Sequence, residues 1–327
     1  MVRNSWQRTA LALLLMLGAA GPAVASPVAD DGIEVKTLAL DAKAFAPEQI
    51  KLTVYLPPGY AATGQHYPVL YANDGQDMAA VGLRETLDKL YADHAIEPVI
   101  VVAIDMLADR ASGYGLSDRK TKTSMVGDSR IGPIGSRAYE YSSWLATQLV
   151  PYIDAHYRTE ASVRGRTILG WSLGGLNAFN LGWQYPDVFG RVGAFSPSFW
   201  LAADRGNAQA IETSRLAQAM VNSSQRRAGV HWWFSVGGRE ETNDRNGNGV
   251  IDAVEDVQDL INGYHAASGS YLRGLRDLGY SVELDYIHHP THRTDVAFYL
   301  LPDGEHNQAT WKRMLPLFLQ WAYGTSR

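Results

Sequence analysis

The chain of 327 residues contains no cysteine. That absence excludes a disulfide framework, a thiolate nucleophile, thiolate-ligated zinc or iron–sulfur centres, and a lipid-modified N-terminal cysteine. It also lacks a basic surplus: 29 Lys and Arg stand against 34 Asp and Glu. A chain of net charge −5 has no cationic excess with which to neutralise phosphates, so nucleic acid is not an expected partner. No apolar run reaches the roughly 20 residues that a membrane-spanning helix needs. The 46% of hydrophobic residues, with 10% aromatics, excludes a disordered chain and suffices for a large core.

The N-terminus is a targeting segment by pattern. Arg3 and Arg8 precede an unbroken apolar or small stretch over 10–20, and Ala23-Val24-Ala25 forms an A-x-A cleavage signal before Ser26. That order predicts a secretory signal peptide over 1–25, a mature chain from Ser26, a periplasmic or secreted location, and no membrane attachment after cleavage. The remainder, 26–327, is read as one domain.

Strand patterns fall at 33–40, 49–56, 67–71, 98–104, 167–169, 191–195, 230–236 and 282–287. The run Pro98-Val99-Ile100-Val101-Val102-Ala103-Ile104 is continuous, as expected of a strand buried on both faces. Helical spacing marks 83–91 and 139–157, the second bent at Pro151, and a last amphipathic helix carrying Trp311, Leu315, Phe318 and Trp321. Alternating strands and helices predict an α/β fold, a mostly parallel sheet covered on both faces, with the opening strands as an antiparallel edge. The glycine-rich stretch 111–136 has little pattern and is read as a lid or pocket wall. Trp200 is a candidate pocket residue, with core packing as the alternative.

Gly170-Trp171-Ser172-Leu173-Gly174 fits G-x-S-x-G, entered from a strand and followed by helical spacing at Leu176, Phe179 and Trp183. A strand–serine–helix turn lifts the hydroxyl above a sheet edge and sets it at a helix N-terminus, where developing negative charge is favoured. The Leu173 N–H is then one oxyanion donor. A serine needs a base. Of nine histidines, His306 lies in a loop after the last strand and before the final helix. His288, His289 and His292 cluster around Pro290, which breaks the regular spacing of a helical metal site. The third member is a carboxylate after the strand 230–236. Glu241 is preferred there, with Glu240 and Asp244 as alternatives.

The order Ser172, Glu241, His306 is that of α/β-hydrolases. The chain resembles the esterase family of that fold, which includes esterase D, enterochelin esterases, feruloyl and acetyl-xylan esterases, and mycolyltransferases. The resemblance spans about 49–321. It rests on Val54-Tyr55-Leu56-Pro57-Pro58-Gly59-Tyr60, on Tyr67-Pro68-Val69-Leu70-Tyr71-Ala72-Asn73-Asp74-Gly75-Gln76, on Gly170-Trp171-Ser172-Leu173-Gly174-Gly175, and on His306-Asn307 before Trp311. It implies an α/β-hydrolase fold and a second oxyanion donor at the Gln76 N–H. It also implies an acid in a Gly-x-x-Asp/Glu turn, which Gly238-Arg239-Glu240-Glu241 fits at Glu241. Glu305 stands where many relatives carry Gly. The implied activity is hydrolysis of a small-molecule or carbohydrate-linked ester, a siderophore ester included. Acyl transfer to a sugar hydroxyl and a catalytically silent binding protein are the alternatives, separated by product analysis and by Ser172→Ala.

Directly after the acid, residues 244–255 fit the twelve-residue EF-hand ligand pattern. Asp244, Asn246 and Asn248 fall at positions 1, 3 and 5, Gly249 at 6, the Val250 carbonyl at 7, Asp252 at 9 and Glu255 at 12. A structural Ca²⁺ is expected there, held by half an EF-hand, because a strand and a catalytic turn precede the loop. No organic cofactor is expected.

Overall fold

The computed structural model describes residues 32–130, 132–291 and 293–325. The signal segment, Ser26 and His292 lie outside the described residues. The central sheet is built from β1 (Glu34–Asp41), β2 (Gln49–Leu56), β3 (Val69–Asn73), β4 (Ile100–Ile104), β5 (Arg166–Trp171), β6 (Arg191–Phe195), β7 (His231–Gly237), β8 (Val282–Glu283) and β9 (Val296–Leu301). Its order is β1-β2-β4-β3-β5-β6-β7-β9-β8. β1 and β2 pair antiparallel, β2 pairs antiparallel with β4, and every later pairing is parallel. The antiparallel edge is therefore where the sequence places it.

β3 and β4 are buried at every position, which is why they read as continuous apolar runs rather than as alternation. β1, at the open edge, is mostly exposed. Two apolar layers cover the sheet. One packs Phe179, Trp183, Trp232 and Phe234, and the other packs Trp171, Trp233, Trp311 and Phe318.

Two expectations are corrected. The strand read over 282–287 is only Val282–Glu283, and the strand that leads to His306 is Val296–Leu301, buried at five of six positions. The helix read over 139–157 is Ala138–Trp144, a wide π turn over Leu145–Leu149, and Val150–His156. The helix runs on without interruption, and the widening precedes Pro151: the Val150 N–H reaches back five residues to the Leu145 carbonyl. The widened turn makes room for a ring that lacks an N–H and would crowd the preceding carbonyls.

Of the stretch 111–136, Ser129 and Arg130 wall one cavity and Asp118, Arg119, Lys120 and Met125 another. The stretch contains a short hairpin, Leu116–Asp118 with Thr123–Met125, and buries Tyr114, Leu116 and Ile134.

Candidate active site

The parallel strands bring their C-terminal ends to one edge, where open α/β sheets bind ligands. β5 leads into Ser172, which caps α1 (Leu173–Gln184) with φ 57° and ψ −126°. Positive φ at a non-glycine residue is strained and is held here from both sides. The Ser172 N–H donates to the Phe195 carbonyl at 3.0 Å, and the Ser172 carbonyl accepts from Ser198 N–H at 3.1 Å and Leu176 N–H at 3.0 Å. The glycines of the turn are demanded by close approach. A Cβ on Gly170 would stand 2.1 Å from the Gly174 carbonyl oxygen, and one on Gly174 would stand 2.5 Å from an Asp74 carboxylate oxygen.

β7 runs into Gly237-Gly238-Arg239-Glu240, and here the preferred acid is corrected. His306 Nδ1 lies 2.8 Å from Glu240 Oε2, so the imidazole N–H donates to Glu240 and not to Glu241. Two adjacent glycines give two frames for a Gly-x-x-Glu turn. The frame that closes starts at Gly237, whose N–H donates to Glu240 Oε1 at 2.6 Å. The Glu240 side chain is 2% exposed and that of His306 38%. Glu241 points the other way and accepts from Asn243 Nδ2 at 2.6 Å. Burial, with the charges of Asp252 and Asp256 adding, holds the Glu241 carboxyl above its ordinary range, against the donation from Asn243.

The acid and histidine loops are tied by their backbones. Gly238 N–H donates to the Leu301 carbonyl and Arg239 N–H to the Gly304 carbonyl, both at 2.8 Å. After His306, Asn307 caps α2 (Gln308–Tyr323) by accepting from Thr310 N–H at 3.0 Å. Glu305 fits the loop, its N–H donating to Thr310 Oγ1 at 2.8 Å. The Trp311 ring then stacks on Trp171, the residue before Ser172, with centroids 5.4 Å apart. The same ring stands perpendicular to His306 at 5.4 Å. One indole thus packs against both His306 and the residue before Ser172.

β3 ends at Asn73 and Asp74, and the turn beyond holds Gln76. Neither the Gln76 nor the Leu173 N–H has a hydrogen-bond partner among the described residues. The turn is anchored by groups that the sequence reading missed. Arg110 grips Asp74 through two bonds of 2.7 and 2.8 Å and also donates to the Trp171 carbonyl at 3.2 Å. Burial pushes the Asp74 carboxyl up, opposed by those Arg110 bonds. Asn73 donates to the Gly174 carbonyl at 2.9 Å and accepts from the Tyr141 hydroxyl at 3.0 Å. Arg110 and Asp74 are 36 residues apart, so no local spacing signals the pair.

The family profile described as "Putative esterase" matches residues 44–317. The chain belongs to that esterase family. A ferulic acid esterase structure superposes with a TM-score of 0.61 at 20% identity, covering 89% of this chain and 98% of that one. The enterobactin esterase of Shigella flexneri gives 0.60 at 16%, covering 88% and 59%. These likenesses establish the α/β-hydrolase-like fold. The uncharacterized protein YbbA of Bacillus subtilis (strain 168) is 27% identical over 156 residues, covering 46% of this chain and 57% of that protein. The chain therefore spans about half the length of that curated relative.

A cavity of about 600 Å³ is walled by Arg130, Trp200, Arg205, Glu241 and the start of the 244–255 loop; Glu241 lines it, and Ser172 and His306 do not. The Arg205 guanidinium lies over the Trp200 ring, 5.5 Å from its centroid. Trp200 thus faces the cavity and also packs against the core.

Within the loop, Asp244 Oδ1 accepts from Gly247 and Asn248 N–H and Oδ2 from Gly249 N–H, at 2.8 to 3.1 Å. Asn246 and Asn248 both turn their amides onto one oxygen of Glu255, Asn248 at 2.7 Å. Asp252 leaves this group: it accepts from Arg245 N–H at 2.7 Å and faces the Arg245 guanidinium. Position 9 is therefore drawn into the Arg245–Asp256–Arg215 ion-pair network. Val250 donates its N–H to Asn248 Oδ1 at 2.8 Å. Among the described residues no three His, Cys, Asp or Glu side chains form a metal-holding group. The donors that converge here are carboxylates and carboxamides together. His288 bonds Asp285 through Nδ1 and is exposed, as is His289.

Proposed function

We propose that the protein hydrolyses carboxylic esters through Ser172, His306 and Glu240. The observation that carries this reading is the 2.8 Å contact of His306 Nδ1 with the buried Glu240 carboxylate, in a loop packed through Trp311 onto the Ser172 turn. With Nδ1–H committed to Glu240, His306 Nε2 is the free base. It takes the Ser172 proton as Oγ attacks the ester carbonyl. The Gln76 and Leu173 amides receive the oxyanion. Collapse expels the alcohol, which leaves with the proton from His306. A water then adds to the acyl-enzyme by the same route in reverse, releasing the acid and restoring Ser172. Glu240 keeps the imidazole oriented and balances its transient charge.

Glu241, next to Glu240 in the chain, opens onto the cavity that Trp200, Arg130, Arg205 and Arg245 also line, which favours a substrate larger than a simple acetate. The ferulic acid and enterobactin esterases among the structural neighbours favour a carbohydrate-linked or siderophore-type ester. The pattern of 1–25 favours export, and N-terminal sequencing of the exported protein should begin at Ser26.

The donor set of the 244–255 loop suits a hard cation. Asp244, Asn246, Asn248, Glu255 and the Val250 carbonyl would hold Ca²⁺, which would brace the segment behind Glu240 and Glu241. No chemical step involves it.

The test is turnover of p-nitrophenyl acetate, butyrate and octanoate and of methyl ferulate by wild type and Ser172→Ala. Ester cleavage lost in the variant supports the reading. Product appearing only with a sugar acceptor would make the enzyme a transferase, and equal rates in both proteins would end the triad assignment.

A further inference from the structure

Ser196 follows β6 and takes φ 44°, a left-handed backbone that a serine adopts only at a cost. The bend is pinned by its own N–H, which donates to the Ser235 carbonyl of β7 at 2.6 Å. It carries the hydroxyl beneath the acid turn. Ser196 Oγ–H donates to Glu240 Oε1, and Oγ receives the Trp311 Nε1–H at 2.9 Å in a buried contact. Ser196 itself is 3% exposed and Trp311 5%. Glu240 Oε1 therefore takes two donors, Ser196 Oγ–H and Gly237 N–H, while Oε2 is left for His306 Nδ1.

We propose that Ser196 is a positioning residue that relays the placement of Trp311 to the catalytic carboxylate. This rests on the reading of Ser172, Glu240 and His306 as a triad. The argument is one of constraint. A buried carboxylate can rotate about its terminal torsion, which is soft. Two donors on one oxygen stop that rotation and aim the other oxygen at the imidazole. Because the Trp311 indole also stands against His306 and on Trp171, one ring sets three members of the site. A serine that merely filled a polar gap would not need a strained backbone to bring its hydroxyl between these two partners.

The test pairs Ser196→Ala with Ser196→Gly. Both remove the hydroxyl, but glycine also relieves the positive φ. The expected result is a fall in kcat of about ten- to a hundredfold in both, with KM within about twofold, because orientation of the base matters in the transition state. Ser196→Gly should melt no lower than Ser196→Ala, so loss of kcat is not loss of fold. The downfield Nδ1–H proton resonance of His306 should broaden or shift in both. Trp311→Phe should also lower kcat, and adding it to Ser196→Ala should cost less than the product of the two single effects. Either Ser196 variant, folded by circular dichroism and keeping kcat within about twofold and the resonance unchanged, overturns the proposal while Ser172→Ala still abolishes turnover. If Ser172→Ala keeps turnover, the triad falls and the proposal falls with it.

Discussion

His306 Nδ1 and Glu240 Oε2 stand 2.8 Å apart, joining two loops that leave adjacent parallel strands, β7 and β9. The strand pairing sets the loops side by side, and two backbone bonds from Gly238 and Arg239 lock them. The imidazole is thereby oriented from a buried carboxylate while its far nitrogen stays accessible.

Removing that carboxylate should be costly in kcat. Glu240→Ala is expected to lower kcat by about 10⁴-fold, the scale seen when the orienting acid of a serine triad is lost. Glu241→Gln should act on KM instead, because Glu241 lines the cavity and does not touch His306. Steady-state kinetics on p-nitrophenyl butyrate separate the two.

Arg110→Met should destabilise the fold by about 3 kcal/mol, since it strands the buried Asp74 carboxyl. It should also slow ester cleavage, because Arg110 bridges the Asp74 turn to the carbonyl preceding Ser172. Urea denaturation gives the first quantity and kcat the second.

Glu241 predicts a pH dependence of stability. Its pKa is raised by burial, so the native state holds this proton more tightly than the unfolded chain does. The stabilisation linked to that proton is full below the ordinary carboxylate pKa of about 4.3 and is lost as pH rises through the raised value. Glu241→Gln should remove this decline from the melting profile between acid and neutral pH.

Much of this arrangement is legible in the sequence. Strands buried on both faces announce themselves as apolar runs, and the Ser172 turn is marked by glycines that admit no Cβ. Val296–Leu301 escapes because the run at 282–287 satisfies the same pattern at a half-exposed edge. Glu240 and Glu241 differ by one residue, and the choice rests on the bonds that Glu240 makes to Gly237, Ser196 and His306 in the assembled site. Ser196 and Arg110 are unreadable for another reason. Their partners lie 44 and 115, and 36 and 61, residues away, so only the assembled sheet edge brings them together.

Calcium should bind the 244–255 loop with a Kd of order 10⁻⁴–10⁻³ M, in the range of extracellular modules. At ten times Kd it should stabilise the fold by about 1.4 kcal/mol. Calorimetry on chelated protein should show one saturable site, absent in Asp244→Ala and in Glu255→Gln. Uptake unchanged in both variants would contradict the assignment.

The most direct measurement is intact-mass analysis after reaction with an organophosphonyl fluoride, which phosphonylates only an activated serine. One adduct per chain is expected, mapped to Ser172, absent in Ser172→Ala and formed far more slowly in His306→Ala and Glu240→Ala. An adduct on another residue, or labelling as fast in Glu240→Ala as in wild type, would contradict the Ser172–His306–Glu240 assignment.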